Sequence, residues 1–128
     1  MKQKVHSVSY LAKAEFELNN GVYDLVALPC GAEVVKVSLE FVGNLTTTGS
    51  ISVGFKDETN RNYFLDSENI AITTTTNTNS KKYVTSAKDY TATSNKVVVA
   101  EVKNAVKTDT KGVLRVLYFL PSVIEVEY

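Results

Sequence analysis

Residues 33–42 read EVVKVSLEFV, and the alternation in this stretch decides the fold. Val35, Val37, Leu39 and Phe41 stand at every second position, with Lys36, Ser38 and Glu40 between them. Successive side chains of an extended chain point to opposite faces, so a period of two predicts a strand with one buried and one wetted face. The next apolar run, SISVGFK at 50–56, keeps the period, with Ile51, Val53 and Phe55 set against Ser52, Gly54 and Lys56. Between the two lies GNLTTTG, rich in turn formers, so the pair reads as an antiparallel hairpin.

The same period continues outward in both directions. Towards the carboxyl end, KVVVAEVKN places Val98, Ala100 and Val102 on one side, and LRVLYFL does the same with Leu114, Val116, Tyr118 and Leu120. Gly112, following the polar TDTK, reads as the turn between them. Pro121 has no backbone donor and interrupts the ladder, after which VIEVEY resumes with Ile124, Val126 and Tyr128 on one face. Towards the amino end, SVSYLA, AEFELNN and GVYDLVAL give further short extended runs, with Asn19, Asn20 and Gly21 as a turn. No window carries a sustained helical period. About eight to ten short strands separated by turn signals predict an all-β, jelly-roll-like antiparallel β-sandwich.

Composition agrees. Valine dominates the apolar residues, threonine is abundant and tryptophan is absent; β-branched side chains suit a pleated, half-buried surface. A chain of 128 residues is one domain's length and buries enough surface to fold without a metal or disulfide. We expect a single sandwich over residues 13–128, preceded by an amino-terminal arm or edge strand over residues 1–12. Lysine and arginine number 14, as do aspartate and glutamate, so no long-range field draws the chain to nucleic acid or an anionic membrane. Neither is expected as a partner. The single cysteine excludes an intrachain disulfide, and the first twenty residues contain no apolar core of signal-peptide length, so folding in the cytoplasm is expected.

Reactive groups do not converge in the sequence. His6 is the one histidine and reads as a surface residue, and Cys30 lies between Pro29 and Gly31 with no histidine placed to activate it. In KDETNRN, Asp57, Glu58, Asn60 and Asn62 offer oxygen ligands, but the glycine and closing glutamate of a calcium loop are missing. Asn44, Leu45 and Thr46 match a glycosylation triplet with no secretion signal. Asp66 and Glu68 are the nearest thing to a hydrolytic carboxylate pair, and alternating charge on a wetted face explains them equally well. The seven tyrosines are spread along the chain and read as packing residues. The stretch 73–82 is polar and of low complexity and reads as an exposed loop. No catalytic residue, metal site or cofactor is expected, and the chain reads as a module that binds or builds.

From Val22 onward the order of features resembles a family of small structural proteins encoded among the head genes of tailed bacteriophages. The likeness is carried by YDLVALPCGA, an alternating strand, the short SVGF strand, a tyrosine-leucine segment, a polar stretch, a valine strand and GVLRVLYF. The family's Leu-Pro-x-Gly-Ala turn matches Leu28, Pro29, Gly31 and Ala32, with Cys30 in place of the usual small residue. That resemblance implies a jelly-roll cement or decoration protein on the outer surface of the capsid. Such a protein binds the major capsid protein lattice, is often a homotrimer, and is made in the cytoplasm of the bacterial host. Two stretches are then candidate capsid or inter-subunit contacts: Val5, Val8, Tyr10 and Leu11 in the amino-terminal arm, and Ile124, Val126 and Tyr128 at the other end. Alternative readings are another particle component, in tail, baseplate or fibre, and a carbohydrate-binding or adhesion module.

Overall fold

The computed structural model describes residues 1–42, 50–66, 81–103, 111–121 and 123–127. Outside these lie Asn44, Leu45 and Thr46, Glu68, Tyr128 and residues 73–80 of the polar stretch. In chain order the strands are β1 (Lys2–His6), β2 (Ser9–Glu17), β3 (Gly21–Leu28), β4 (Glu33–Val42), β5 (Ser50–Phe55), β6 (Lys81–Ser86), β7 (Tyr90–Thr91), β8 (Lys96–Lys103), β9 (Lys111–Phe119) and β10 (Val123–Glu127). A single 3₁₀ turn, Glu58–Asn60, is the one helical element among the described residues.

The strands form two facing sheets and a separate ribbon. One sheet has the order β2-β9-β4-β6, with β7 continuing the β6 edge against β4; the other has the order β3-β8-β5. Beyond β5, Leu65 and Val53 exchange backbone hydrogen bonds at 2.9 and 3.0 Å, so residues 64–65 occupy a fourth lane. The pairs are therefore nested: β2 with β9, β3 with β8, β4 with β6, and β5 with Leu65. Every pairing is antiparallel. This is the wrapped connectivity of a jelly roll, in which a long double strand is rolled so that consecutive strands alternate between sheets.

One core fills the space between the sheets. Phe16, Val34, Val37, Leu39, Phe41, Leu114 and Val116 from the first meet Val26, Leu28, Ile51, Val53, Val98, Ala100 and Val102 from the second. Along β9 the burial alternates without fault from Gly112 to Tyr118, as a strand with one face on a core requires.

Four readings of the sequence are corrected here. Residues 33–42 and 50–56 are not a hairpin, because β4 and β5 lie in opposite sheets. Alternation identifies a strand and its wet face but says nothing about its partner. Val35 is not a core residue: it is 40% exposed, while Val34 is fully buried. The ladder with β9 shifts register between Val34 and Lys36, and the extra residue of a bulge reverses the in-out order at that point. Gly112 is not a turn. It sits within β9 opposite Phe16, and a Cβ there would lie 2.6 Å from the Phe16 ring, so its smallness makes room for an aromatic residue.

Gly54 likewise is not on a wetted face. A Cβ there would lie 2.1 Å from the carbonyl oxygen of Asn60, because the segment carrying the 3₁₀ turn folds back over the outer side of β5. Asp57 caps that turn, accepting a bond from the Thr59 backbone N–H and another from the Asn60 side chain. The carboxylate read as a possible calcium ligand is thus engaged in local structure. Asn62 donates to Asp66 at 3.1 Å in the same segment.

Candidate interaction surface

The β1–β10 ribbon is an extension of the longest ladder in the molecule. The β2–β9 register runs from Glu17↔Lys111 to Ser9↔Phe119, and the β1–β10 register from His6↔Val123 to Lys2↔Glu127. Two residues separate the strands on one side and three on the other, so one residue is bulged out around Pro121. The junction is held by Leu120 N–H donating to Val8 C=O at 2.8 Å and by the His6 ring Nδ1 lying 3.0 Å from Leu120 O. The one histidine is accordingly half-buried at the root of the ribbon.

Pro121 is also fixed from below. Pro29, Cys30, Gly31 and Ala32 form a turn in which Ala32 N–H donates to Pro29 C=O at 3.1 Å and Gly31 has a φ of +89°. That angle belongs to the third position of a type II turn and strains any side chain larger than glycine's. A Cβ on Gly31 would also meet Pro121 Cβ at 2.7 Å. Gly31 N–H donates to Ala92 C=O, and Ala92 N–H to Ala32 C=O, while Leu28 and Ala32 are buried on either side. Cys30 is exposed; its N–H donates to Asn95 Oδ1 and its Sγ to Thr93 C=O, so the side chain pins two loops together.

Past Phe119, β9 loses its second neighbour, since β4 begins at Glu33, opposite that residue. From there the ribbon runs on as two strands alone, packed on each other and scarcely on the sandwich. Five residues of strand reach roughly 17 Å. Residues directly opposite in an antiparallel pair share a face, so the register sorts the ribbon cleanly. One face carries Val5 with Ile124 and Gln3 with Val126; the other carries Lys2 with Glu127 and Lys4 with Glu125. A diagonal ion pair, Lys2 to Glu125 at 3.8 Å, lies on the charged face.

Several of the exposed large apolar residues lie at this end, with Tyr83 on β6 and Val22 on β3 exposed elsewhere. Ile124 is 52% exposed, Leu11 61% and Tyr10 52%, and Val8 is also exposed. Val5 and Val126 are half-buried. Tyr10 stands edge-on to Tyr118 with ring centres 5.9 Å apart, and Leu11 pairs with Leu117. Thus Val5 meets Ile124, and Tyr10 and Leu11 sit beyond the root on β2. Sequence reasoning treated the two ends as separate elements and missed that they pair. Their complementary spacing, lysines in MKQKVH and glutamates in VIEVEY, was the available signal.

A second polar cluster lies on the outer side of the smaller sheet. Glu101, the one charged residue buried among the described residues, accepts bonds from Arg61 Nη1 at 2.8 Å and Lys103 Nζ at 2.9 Å. The hydrogen bond from Lys103, opposed by burial and reinforced by Arg61, holds its carboxyl below the usual carboxylate range. A group in that state is a fixed anion at neutral pH and a poor proton donor. It anchors the segment that crosses Gly54. On the larger sheet, Arg115 and Glu40 make a similar contact at 2.7 Å. Among the described residues, no group of three or more histidine, cysteine or acidic side chains is arranged to hold a metal.

Nested ladders in two facing sheets define a jelly-roll module. No family model and no curated protein matches the chain. Among solved structures, it is similar over 100% of its length, and 100% of the other chain, to a chain from the acidic stable capsid structure of Helicobacter pylori bacteriophage KHP30. The identity is 71% and the TM-score 0.83. The protein described here therefore belongs to the same family of bacteriophage head proteins. A chain of the cyanophage Pam1 capsid asymmetric unit shares the fold at 20% identity and a TM-score of 0.65, covering 88% of this chain and 85% of that one.

Proposed function

We propose that the protein is a non-enzymatic cement or decoration protein that binds the outer surface of the major capsid protein lattice of a tailed phage, as a homotrimer, and stabilises the head. The observation that carries this reading is the full-length, 71% identical match to a chain of a phage capsid. The structure supports it in two ways. Val8, Tyr10, Leu11 and Ile124 expose apolar surface at the ribbon end, as a docking surface is expected to. The charged clusters, Arg61–Glu101–Lys103 and Arg115–Glu40, are pairs of opposite sign engaged with each other, a structural use of charge.

The mechanism is linkage. A protein that binds only the assembled lattice lowers the free energy of that state relative to every disassembled one, by an amount set by its affinity and free concentration. Bridging neighbouring capsid subunits multiplies the effect, since each copy must be released before the shell can part. The contacts proposed, to the capsid or between subunits, are Val5, Val8, Tyr10 and Leu11 together with Ile124 and Val126. Purified protein added to particles lacking it should bind to saturation and raise the temperature at which they release DNA. Particles that take up none of it would rule this reading out.

A further inference from the structure

Among the described residues, the β1–β10 ribbon has two unpaired edges, and they are of opposite charge. The β1 strand carries Lys2 and Lys4, the β10 strand Glu125 and Glu127, all on one face, while Val5, Ile124 and Val126 lie on the other. A two-stranded sheet standing alone is marginal in water and needs further strands or a packed face to be stable. Among the described residues, no element of the sandwich packs against this one to a comparable extent. The ribbon as it stands in one copy is half of a structure.

We infer that the missing half is a second copy of this chain, joined edge to edge with β10 of one protomer against β1 of the next, around a closed ring. Charge selects this arrangement over the other ways two copies can meet. An isologous contact through β1 sets lysines against lysines, and one through β10 sets glutamates against glutamates; like charges across a ladder are destabilising. Only the heterologous contact, β10 to β1, opposes unlike charges, repeating between copies the Lys2–Glu127 and Lys4–Glu125 pairing found within one. Rotation about an axis parallel to the strands keeps every β1 pointing one way, so the contact between copies is antiparallel like the contact within each. A ring also removes both free edges at once.

The ring size rests on the homotrimer of the proposed function. Two copies supply only four strands, too few to curl around Val5, Ile124 and Val126 from each, and barrel diameter grows with strand number. Three copies supply six, with the apolar faces inward and the lysine-glutamate ladder outside. The jelly rolls then hang from a common stem, each attached through the Pro121–Gly31 contact.

The test is a charge swap in the full chain: Lys2→Glu, Lys4→Glu, Glu125→Lys and Glu127→Lys together. Every contact within a swapped copy, and between swapped copies, keeps opposite signs; only a mixed ring sets like against like. After wild-type and swapped chains are unfolded and refolded together at low salt, native mass spectrometry should find trimers of each kind. Mixed trimers, about three quarters of the total under random assortment in closed rings of three, should fall by about tenfold or more, because like-charge juxtaposition costs several kcal/mol. Random assortment, or a wild-type chain that stays monomeric, overturns the inference. Ile124→Asp provides an independent measurement: it should convert trimer to monomer while leaving the far-ultraviolet spectrum of the sandwich unchanged, and a persistent trimer counts against the ring. Particle binding separates this inference from the proposed function. Chains that assort randomly yet saturate the capsid refute the ring alone, and wild-type trimers that bind no particles refute the cement reading alone.

Discussion

The sandwich body and the terminal ribbon are made of the same kind of strand, and the same ladder runs through both, yet they are stabilised differently. In the body each strand has one face sealed: Val37, Leu39, Val53, Val98, Leu114 and Val116 have no accessible surface. In the ribbon, a comparable alternation of apolar and charged positions leaves Ile124 half in water. Alternating sequence is therefore enough to make a strand, but the second layer makes it stable. What separates the regions is one bulged residue at Pro121 and the end of β4 at Glu33, which together let the β2–β9 pair leave the sandwich.

Substitutions can break that comparison. The largest effect is expected from Leu39→Ala, which leaves a cavity between the sheets and should cost about 2–5 kcal/mol in urea unfolding; a loss near that of a surface substitution would mean the core is not where stability resides. Gly54→Ala drives a Cβ into the Asn60 carbonyl and should cost about 1–3 kcal/mol through displaced backbone. The same measurement applies, with loosening of the 57–62 segment read by hydrogen exchange.

Glu101→Gln sharpens the comparison through pH. The Glu101 carboxyl is held below its ordinary range by Lys103 and Arg61. Its contribution is therefore fully present above the unfolded-state value, near 4.3, and disappears as pH falls through the lowered folded-state value. Near neutrality the substitution should cost about 1.5–3 kcal/mol, as expected for hydrogen bonds to a charged group. The gap between variant and wild type should close as acid is added, and a constant gap between pH 6 and 3 would contradict the assignment. The smallest effect belongs to the ribbon: Lys2→Ala, removing an exposed ion pair, should change the unfolding free energy of dissociated chains by less than about 0.5 kcal/mol.

Much of the body was legible in the sequence. The period of two named β5, β8 and β9 and their core faces, and turn chemistry placed the break at Pro121. Strand partners were not legible, because a local pattern carries no information about a segment a hundred residues away, and rolled connectivity makes the nearest run in sequence the wrong one to pair. Val34 and Val35 illustrate a finer limit: two adjacent valines fit either parity, and only the bulge decides between them. Gly54 was read as a wetted-face residue and Gly112 as a turn, when both are points of close approach. The candidate surface was legible in its residues, Val5 and Ile124 among them, but its geometry depended on a pairing between the two ends. Glu101 was hidden within VVVAEVK, where a carboxylate two residues before a lysine on the same face of a buried strand was the available signal.

The position of β9 bears on the order in which the molecule takes shape. It lies between β2 and β4, the two strands it joins into a sheet, and it follows both by about seventy residues or more. As the chain leaves the ribosome, β2 and β4 have no common neighbour until residues 111–119 emerge. Long-range pairings of this kind close slowly, since loop entropy must be lost before contacts compensate for it. The larger sheet is thus completed late, by insertion of a central strand that follows its neighbours, and the ribbon can form only after that. In the proposed ring, copies would consequently become competent to join one another last of all, after the strands of the body have found their partners.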